Sequence, residues 1–298
     1  MNGLLSALAW HDVVNFSDYG ELLPLVRNSL IAGAVLGVLG GVVGVVVMAR
    51  DLPFAVHGIS ELSFAGASGA LLFGAGVASG AFVGSLLAAL LLGVLGLRAR
   101  DRNSVIGVIM PFGLGLGILF LALYHGRAAN KFGLLTGQIV AVDTTGLRTL
   151  AITAVLVLAV LAAIWRPLMF ASLDEDVAAA RGVPVRLLGP LFMVLLGCAV
   201  AVSVQIVGAL LVLALLLVPA AAAMKVTASP LWVPVLSVVF ALTATVGGIF
   251  VAIGTTIPIS PYITTISFVI YLVCRVLGWL RARRGWVTRP TLEDVAAA

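Results

Sequence analysis

No charged residue occurs between Arg186 and Lys225. That run, LLGPLFMVLLGCAVAVSVQIVGALLVLALLLVPAAAAM, could cross a bilayer twice, because a helical crossing needs about 20 apolar residues. Directly before it lies RPLMFASLDEDVAAARGVPVR, Arg166–Arg186. Its Asp174, Glu175, Asp176 and Arg181 cannot rest in hydrocarbon, where each charge costs about 3 kcal/mol or more. Together the two stretches require a chain that weaves through a membrane. They also require a short polar segment held at its surface, displayed to something soluble.

Composition agrees. The 298 residues are 62% hydrophobic and 10% charged, with mean hydropathy +1.23, whereas soluble domains carry about 25% charged residues. A soluble fold of this length would have no polar surface to show. The net charge of +5 is no nucleic-acid signal, because the arginines gather at the ends of apolar runs, the positive-inside pattern. Cys198 and Cys274 both fall in apolar runs, which argues against a disulfide framework. The opening MNGLLSALAWHDVVNFSDYGE has no basic n-region. Residues 1–23 therefore read as an interfacial segment rather than a signal peptide.

The expected fold is an all-α polytopic membrane protein of about 8–9 transmembrane helices. Nine apolar pieces fall near 24–49, 57–75, 78–97, 104–125, 145–165, 187–203, 204–224, 230–253 and 262–280. The region 24–280 is thus a single transmembrane domain, followed by a polar tail, 281–298. With Arg98, Arg100 and Arg102 cytoplasmic, alternation places Arg50, Arg166, Arg181, Arg186, Lys225, Arg281, Arg283, Arg284 and Arg289 on the same side. The segment 172–183 and the C-terminus are then cytoplasmic, and the N-terminus external. Glycines recur at Gly33/Gly37/Gly40/Gly41/Gly44 and Gly107/Gly113/Gly115/Gly117, a spacing that lets helices approach closely in lipid. Pro111, Pro219 and Pro258 are expected to kink or break their spans, with Pro219 ending or bending the seventh.

Several enzyme classes are absent. The two lysines, Lys131 and Lys225, lie in no phosphate-binding loop, and no HExxH or GxSxG motif occurs. Three histidines cannot assemble a multi-histidine catalytic metal centre. The chain does not read as an enzyme on its own. Its most informative polar pair is His57 and Glu61, four residues apart and so on one helix face. Intramembrane ionisable groups mark ion paths by default, and imidazole with carboxylate suits zinc, manganese or iron(II) without choosing among them. A purely structural His–Glu pair is the alternative. Ser63 on the same span is a secondary candidate, as are His125, Gln138 and Asp143 near the outer end of spans four and five.

Four blocks carry a family resemblance. Arg50 leads into a second span, Phe54–Ala67, that ends in Phe64-Ala65-Gly66-Ala67. NSVIGVIMPFGLGLGILFL, Asn103–Leu121, follows. LLTGQIVAV, Leu134–Val142, comes third. DEDVAAARGVPV and then VQIVGALLVLALLLVPAAAA form the fourth and most specific. In this order, over about residues 25–275, they resemble the permease subunits of metal-ion ABC importers, the ABC-3 family. The family often has G-D-x-x-x-H in its second span; here Val56-His57 and then Glu61 stand at those places. Its G-D after span four is Gly137-Gln138 here.

The resemblance implies a type II ABC importer-like permease in a bacterial plasma membrane, working by alternating access. ATP would be bound by a partner ATPase, and the permanent cofactor set would be empty, the metal ion being cargo. It implies an extracytoplasmic metal-binding protein and a second permease subunit, most simply an identical one. The segment 172–183 would be the coupling helix in the ATPase groove. Asp174, Glu175 and Asp176 suit its first turn, Ala178 is a strong helix former that permits close docking, and Arg181 precedes a terminating Gly182. An ion-coupled secondary carrier using His57 and Glu61 as proton groups stays open, as does a permease of this family with altered cargo. The carrier's usual signature, paired broken helices, is not evident. A structural membrane scaffold would leave the His57–Glu61 pair without a purpose.

Overall fold

A computed structural model of the chain describes residues 23–24, 26–95, 99–126, 139, 142–253 and 258–283. Within them the chain forms α1 (Arg27–Ala49), α2 (Pro53–Leu72), α3 (Val77–Leu95), α4 (Ala99–Leu123) and α5 (Thr144–Leu173). They are followed by α6 (Glu175–Ala180), α7 (Val185–Val207), α8 (Ala209–Val226), α9 (Trp232–Ala252) and α10 (Ile259–Arg283). Among the described residues seven helices are long and apolar enough to cross a bilayer. Helix α8 adds a shorter apolar stretch, Leu211–Val226, and α2 is diluted by its polar column. These nine match the nine expected pieces, and the fold is all-α and multi-pass. All of the expected interfacial segment but Leu23, and nearly all of the polar tail, lie outside the described residues.

Backbone proximity organises the bundle, because lipid offers helices no hydrophobic reason to associate. On α1, Gly33, Gly37 and Gly41 lie against Ile249, Leu242 and Val238 of α9, and Ser237 donates to the Gly41 carbonyl at 2.8 Å. On a neighbouring face of α1, Gly40 and Gly44 meet the carbonyl oxygens of Leu215 and Leu216 on α8. A second layer is built the same way. Gly66 of α2 meets Gly80 and Gly84 of α3, while Gly113 and Gly117 of α4 lie over Glu61–Leu62 and Phe64–Ala65. Gly197 of α7 packs on Ser85 and Ala89 of α3. Gly107 and Gly115, in the same α4 series, have nothing within 4 Å of an added Cβ, so only half of that glycine cluster is a packing face.

Three boundaries differ from the sequence expectation. The long apolar run divides at Gly208, not between 203 and 204. Gly208 has φ 81°, ψ 159°, a conformation essentially reserved for glycine, so the turn from α7 into α8 is set there. Pro219, expected to end or bend its helix, does not end it: α8 continues through it to Val226. Proline removes the N–H that would bond Leu215, and the Leu215 carbonyl instead faces the bare Gly40 of α1. Likewise α4 runs through Pro111, and Pro258 sits just before α10, where its missing N–H has no helical partner to lose. Finally, α5 continues past Arg166 through Pro167 to Leu173, 30 residues in all. At about 1.5 Å per residue it is longer than the hydrocarbon is thick, so its last turns project beyond it.

One end of the bundle is basic. Arg50 at the end of α1 approaches Gly189 at the start of α7, and Arg281 of α10 donates to the Val226 carbonyl at 3.0 Å. Trp165, Trp232 and Trp279 sit at this same end of α5, α9 and α10, with the Arg283 guanidinium 3.8 Å over the Trp279 ring. Tryptophan and arginine at one level mark a membrane–water interface.

Candidate functional site

Helix α2 begins after a tight turn in which Asp51 takes a left-handed φ of 53°, tolerated by aspartate, and Pro53 opens the helix. From there α2 is held between α3 and α4 by the glycine contacts above. That close fit removes freedom of rotation and fixes which side chains face inward. His57, Glu61 and Ser68 fall on one stripe, at i, i+4 and i+11.

Glu61 and Ser68 are buried and His57 is half-buried, and each has an unsatisfied atom. Glu61 is 3% exposed. His57 Nε2 lies 3.6 Å from Glu61 Oε1, longer than a formed hydrogen bond. His57 Nδ1, Glu61 Oε2 and Ser68 Oγ have no hydrogen-bond partner. A pair that served only to fix packing would close to hydrogen-bond distance, since an unmet buried polar group costs about 1–3 kcal/mol. Instead the free nitrogen and oxygen atoms are the kinds that bind divalent cations. Ser68 was not singled out from sequence; its i+7 spacing from Glu61 was the available signal.

The secondary candidates are placed differently. Ser63 lies on another face of α2 and donates to the Ala81 carbonyl of α3 at 3.0 Å, where it ties the two helices together. Asp143 caps α5, accepting from the Gly146 N–H at 2.8 Å. His125 is exposed just past the end of α4. Gln138 lies outside the described residues. No group of three or more His, Cys, Asp or Glu able to hold a metal occurs among the described residues.

The polar segment at the basic end forms its own compact unit. It is shorter than the expected 172–183: α6 spans Glu175–Ala180 because α5 already accounts for residues up to Leu173. Asp174 is the N-cap, its Oδ1 accepting from the Val177 N–H at 3.0 Å, and Glu175 and Asp176 occupy the first turn. Gly182, at φ 83°, ends the helix in a Schellman arrangement, its N–H bonding Ala179 O while Val183 N–H bonds Ala178 O, both at 3.0 Å. Ala178 is fully buried, so it anchors α6 to its neighbours. Asp174, Glu175, Asp176, Arg181 and Gly182 are exposed. Beside them Leu173, Val177 and Leu187 are 83%, 46% and 70% exposed. These apolar residues were not singled out in the sequence, where Leu173 and Val177 lay within the expected polar segment 172–183 and Leu187 was counted into the span 187–203. Replacing Asp174 with Ala removes the cap and should destabilise α6 by about 1 kcal/mol. Faster amide exchange at Val177 and Ala178, with the remaining helices unchanged, would report it.

Comparison with known proteins agrees with this architecture. The chain matches the ABC 3 transport family over residues 23–278. It is 28% identical over 263 residues to the manganese import system permease protein ScaB of Streptococcus parasanguinis, covering 88% of this chain and 93% of that one. It is 27% identical over 228 residues to the manganese transport system membrane protein MntC of Halalkalibacterium halodurans, covering 76% and 78%. Among solved structures it superposes on PsaBC from Streptococcus pneumoniae, determined in complex with Fab, with a TM-score of 0.76 at 27% identity, covering 86% of this chain and 94% of that chain. A match across this much of the chain, on a multi-pass helical fold with the motif blocks in order, places it: the chain belongs to the ABC 3 transport family.

Proposed function

We propose that this chain is the permease subunit of an ATP-driven importer of divalent transition-metal ions in a bacterial plasma membrane. The single observation that carries the reading is the His57–Glu61 pair, a half-buried imidazole beside a buried carboxylate, with its unpartnered Nδ1 and Oε2 atoms. Manganese is the leading cargo, on the names of the relatives; zinc and iron(II) suit the same ligands. The metal is substrate, not a resident cofactor. Two protein ligands, with Ser68 further along the stripe, bind an ion strongly enough to accept it and weakly enough to release it, which is what conduction requires.

The soluble driver docks at the basic, cytoplasmic end. Leu173, Val177 and Leu187 offer an apolar contact for an ATPase groove, and Asp174, Glu175 and Asp176 supply charge that fixes orientation. Motion has a direct route inward. Helix α6 leads into α7; α7 meets α3 at Gly197; α3 meets α2 through Gly80 and Gly84. Each step is a near-backbone contact that transmits displacement with little loss to side-chain rearrangement. ATP binding on the partner thus tilts α2 and changes which side His57 and Glu61 face. A second permease subunit would close the path against α2 and the exposed apolar face of α4, Val108, Phe112 and Ile118. An extracytoplasmic metal-binding protein would deliver the ion.

The test is reconstitution with an ATPase subunit that co-purifies with the chain, followed by uptake of manganese, zinc and iron(II). ATP-dependent uptake of at least one ion is expected; uptake driven by a proton gradient without ATP would favour the secondary-carrier reading instead. In the same system Gly182→Leu, strained at positive φ, should lower coupled uptake about tenfold or more while the permease still folds. Unchanged uptake in that variant would remove α6 from the coupling route.

A further inference from the structure

The outer surface of α1, α5 and α9 carries a long groove that neither the ion path nor the docking segment uses. Two cavities of about 550 and 320 Å³ run end to end and share Val38 and Leu158. The inner one reaches up α5 to Ala151 and is lined wholly by alanine, valine and leucine. The other reaches the basic end, where Trp165, Arg166 and Leu231 are among its lining residues. Arg166 is exposed and forms no hydrogen bond or ion pair among the described residues.

Three features fit one kind of occupant. First, the groove runs along α5 from Ala151 to Arg166, about 22 Å at helical rise, enough to cover one leaflet's depth of about 15 Å. Second, its floor is apolar throughout while its single charge is at one end, the polarity of a lipid with a headgroup and a tail. Third, that charge lies at the level of Trp165, Trp232 and Trp279, where headgroups reside. A guanidinium held there without a partner is matched by a phosphate, which accepts two parallel N–H bonds. A helix of another protein would fill the apolar floor but would leave Arg166 unanswered unless it also carried an acid at that depth.

The geometry points to a binding site for an anionic phospholipid of the leaflet at the basic end, its phosphate on Arg166 and one acyl chain between α1 and α5. Because α5 ends in the segment leading to α6, a lipid seated there braces the helix that meets the soluble driver. The site is independent of which ion is carried.

The test uses the full chain in detergent, with phosphatidylglycerol or phosphatidylcholine added and retained lipid read by native mass spectrometry. Wild type should retain phosphatidylglycerol in preference to phosphatidylcholine. Arg166→Gln should lower phosphatidylglycerol retention about five- to tenfold, and Ala162→Trp, which fills the groove, should lower retention of both lipids. Arg148→Gln, which removes an exposed charge at the other end of α5, should change nothing. Equal retention of the two lipids by wild type, or unchanged retention in Arg166→Gln, overturns the site. So does an Ala162→Trp protein that keeps its lipid but loses a dimer, since the groove would then belong to a second copy. Should Ala162→Trp fail to fold, Arg166→Gln decides alone, because it adds no volume.

Discussion

Glu61→Gln lowers metal uptake by about tenfold to a hundredfold, the range seen when the partner of a metal ligand is altered, and His57→Ala does the same. Both variants should fold and assemble normally, because neither side chain makes a closed hydrogen bond that folding depends on. Glutamine keeps the shape of the carboxylate and its hydrogen-bonding oxygen but removes the charge that offsets a divalent ion in a low-dielectric setting. The measurement is uptake of manganese, zinc and iron(II) in vesicles, alongside ATPase stimulation by the binding protein. A drop confined to one ion would identify the cargo. Wild-type uptake of every ion in both variants would make the pair structural and end the path assignment.

The second large effect lies in packing. Gly44→Val should cost well over the roughly 1–3 kcal/mol typical of overpacking, because the new Cβ would overlap the Leu216 carbonyl oxygen, and a backbone atom cannot step aside. Helices α1 and α8 would have to separate along their length. Gly107→Ala offers the contrast. Its Cβ meets nothing within 4 Å in a helical segment, so it should raise stability by about 0.5–1 kcal/mol through helix propensity. Thermal melting of the two purified variants, followed by loss of monodisperse protein, reads both signs. A Gly44→Val protein that melts with wild type would mean that α1 and α8 do not touch as closely as described.

How much of this was legible beforehand follows from which forces act in a membrane. Span count and helix type could be read directly, since a backbone in hydrocarbon has almost no choice but the helix. Helix ends were less accessible. The division at Gly208 depends on one backbone dihedral in an apolar run with no polar residue to mark it. Pro219 pointed to an end or a bend, yet the helix runs on, and a neighbouring glycine on α1 accommodates the carbonyl it frees. At the site, His57 and Glu61 stood out as ionisable groups in the wrong solvent, and the structure puts them one turn apart on α2. Ser63 did not join them, because a serine's direction is set by which helix packs beside it. The apolar residues Leu173, Val177 and Leu187 gave no docking signal, because the first two sat among charges in the polar segment and Leu187 opened an apolar run.

The clasp of α2 by its neighbours bears on how cargo choice can diverge within such a family. The glycine contacts that hold the helix touch its backbone and the side chains of Leu62 and Phe64, not the polar side chains at 57, 61 and 68 proposed to face the ion. Ligand chemistry at 57, 61 and 68 can therefore drift, histidine for acid or acid for histidine, while the scaffold stays intact. Such a helix works as an exchangeable insert, and a laboratory wishing to retune ion preference could vary those three positions together without redesigning the rest of the bundle.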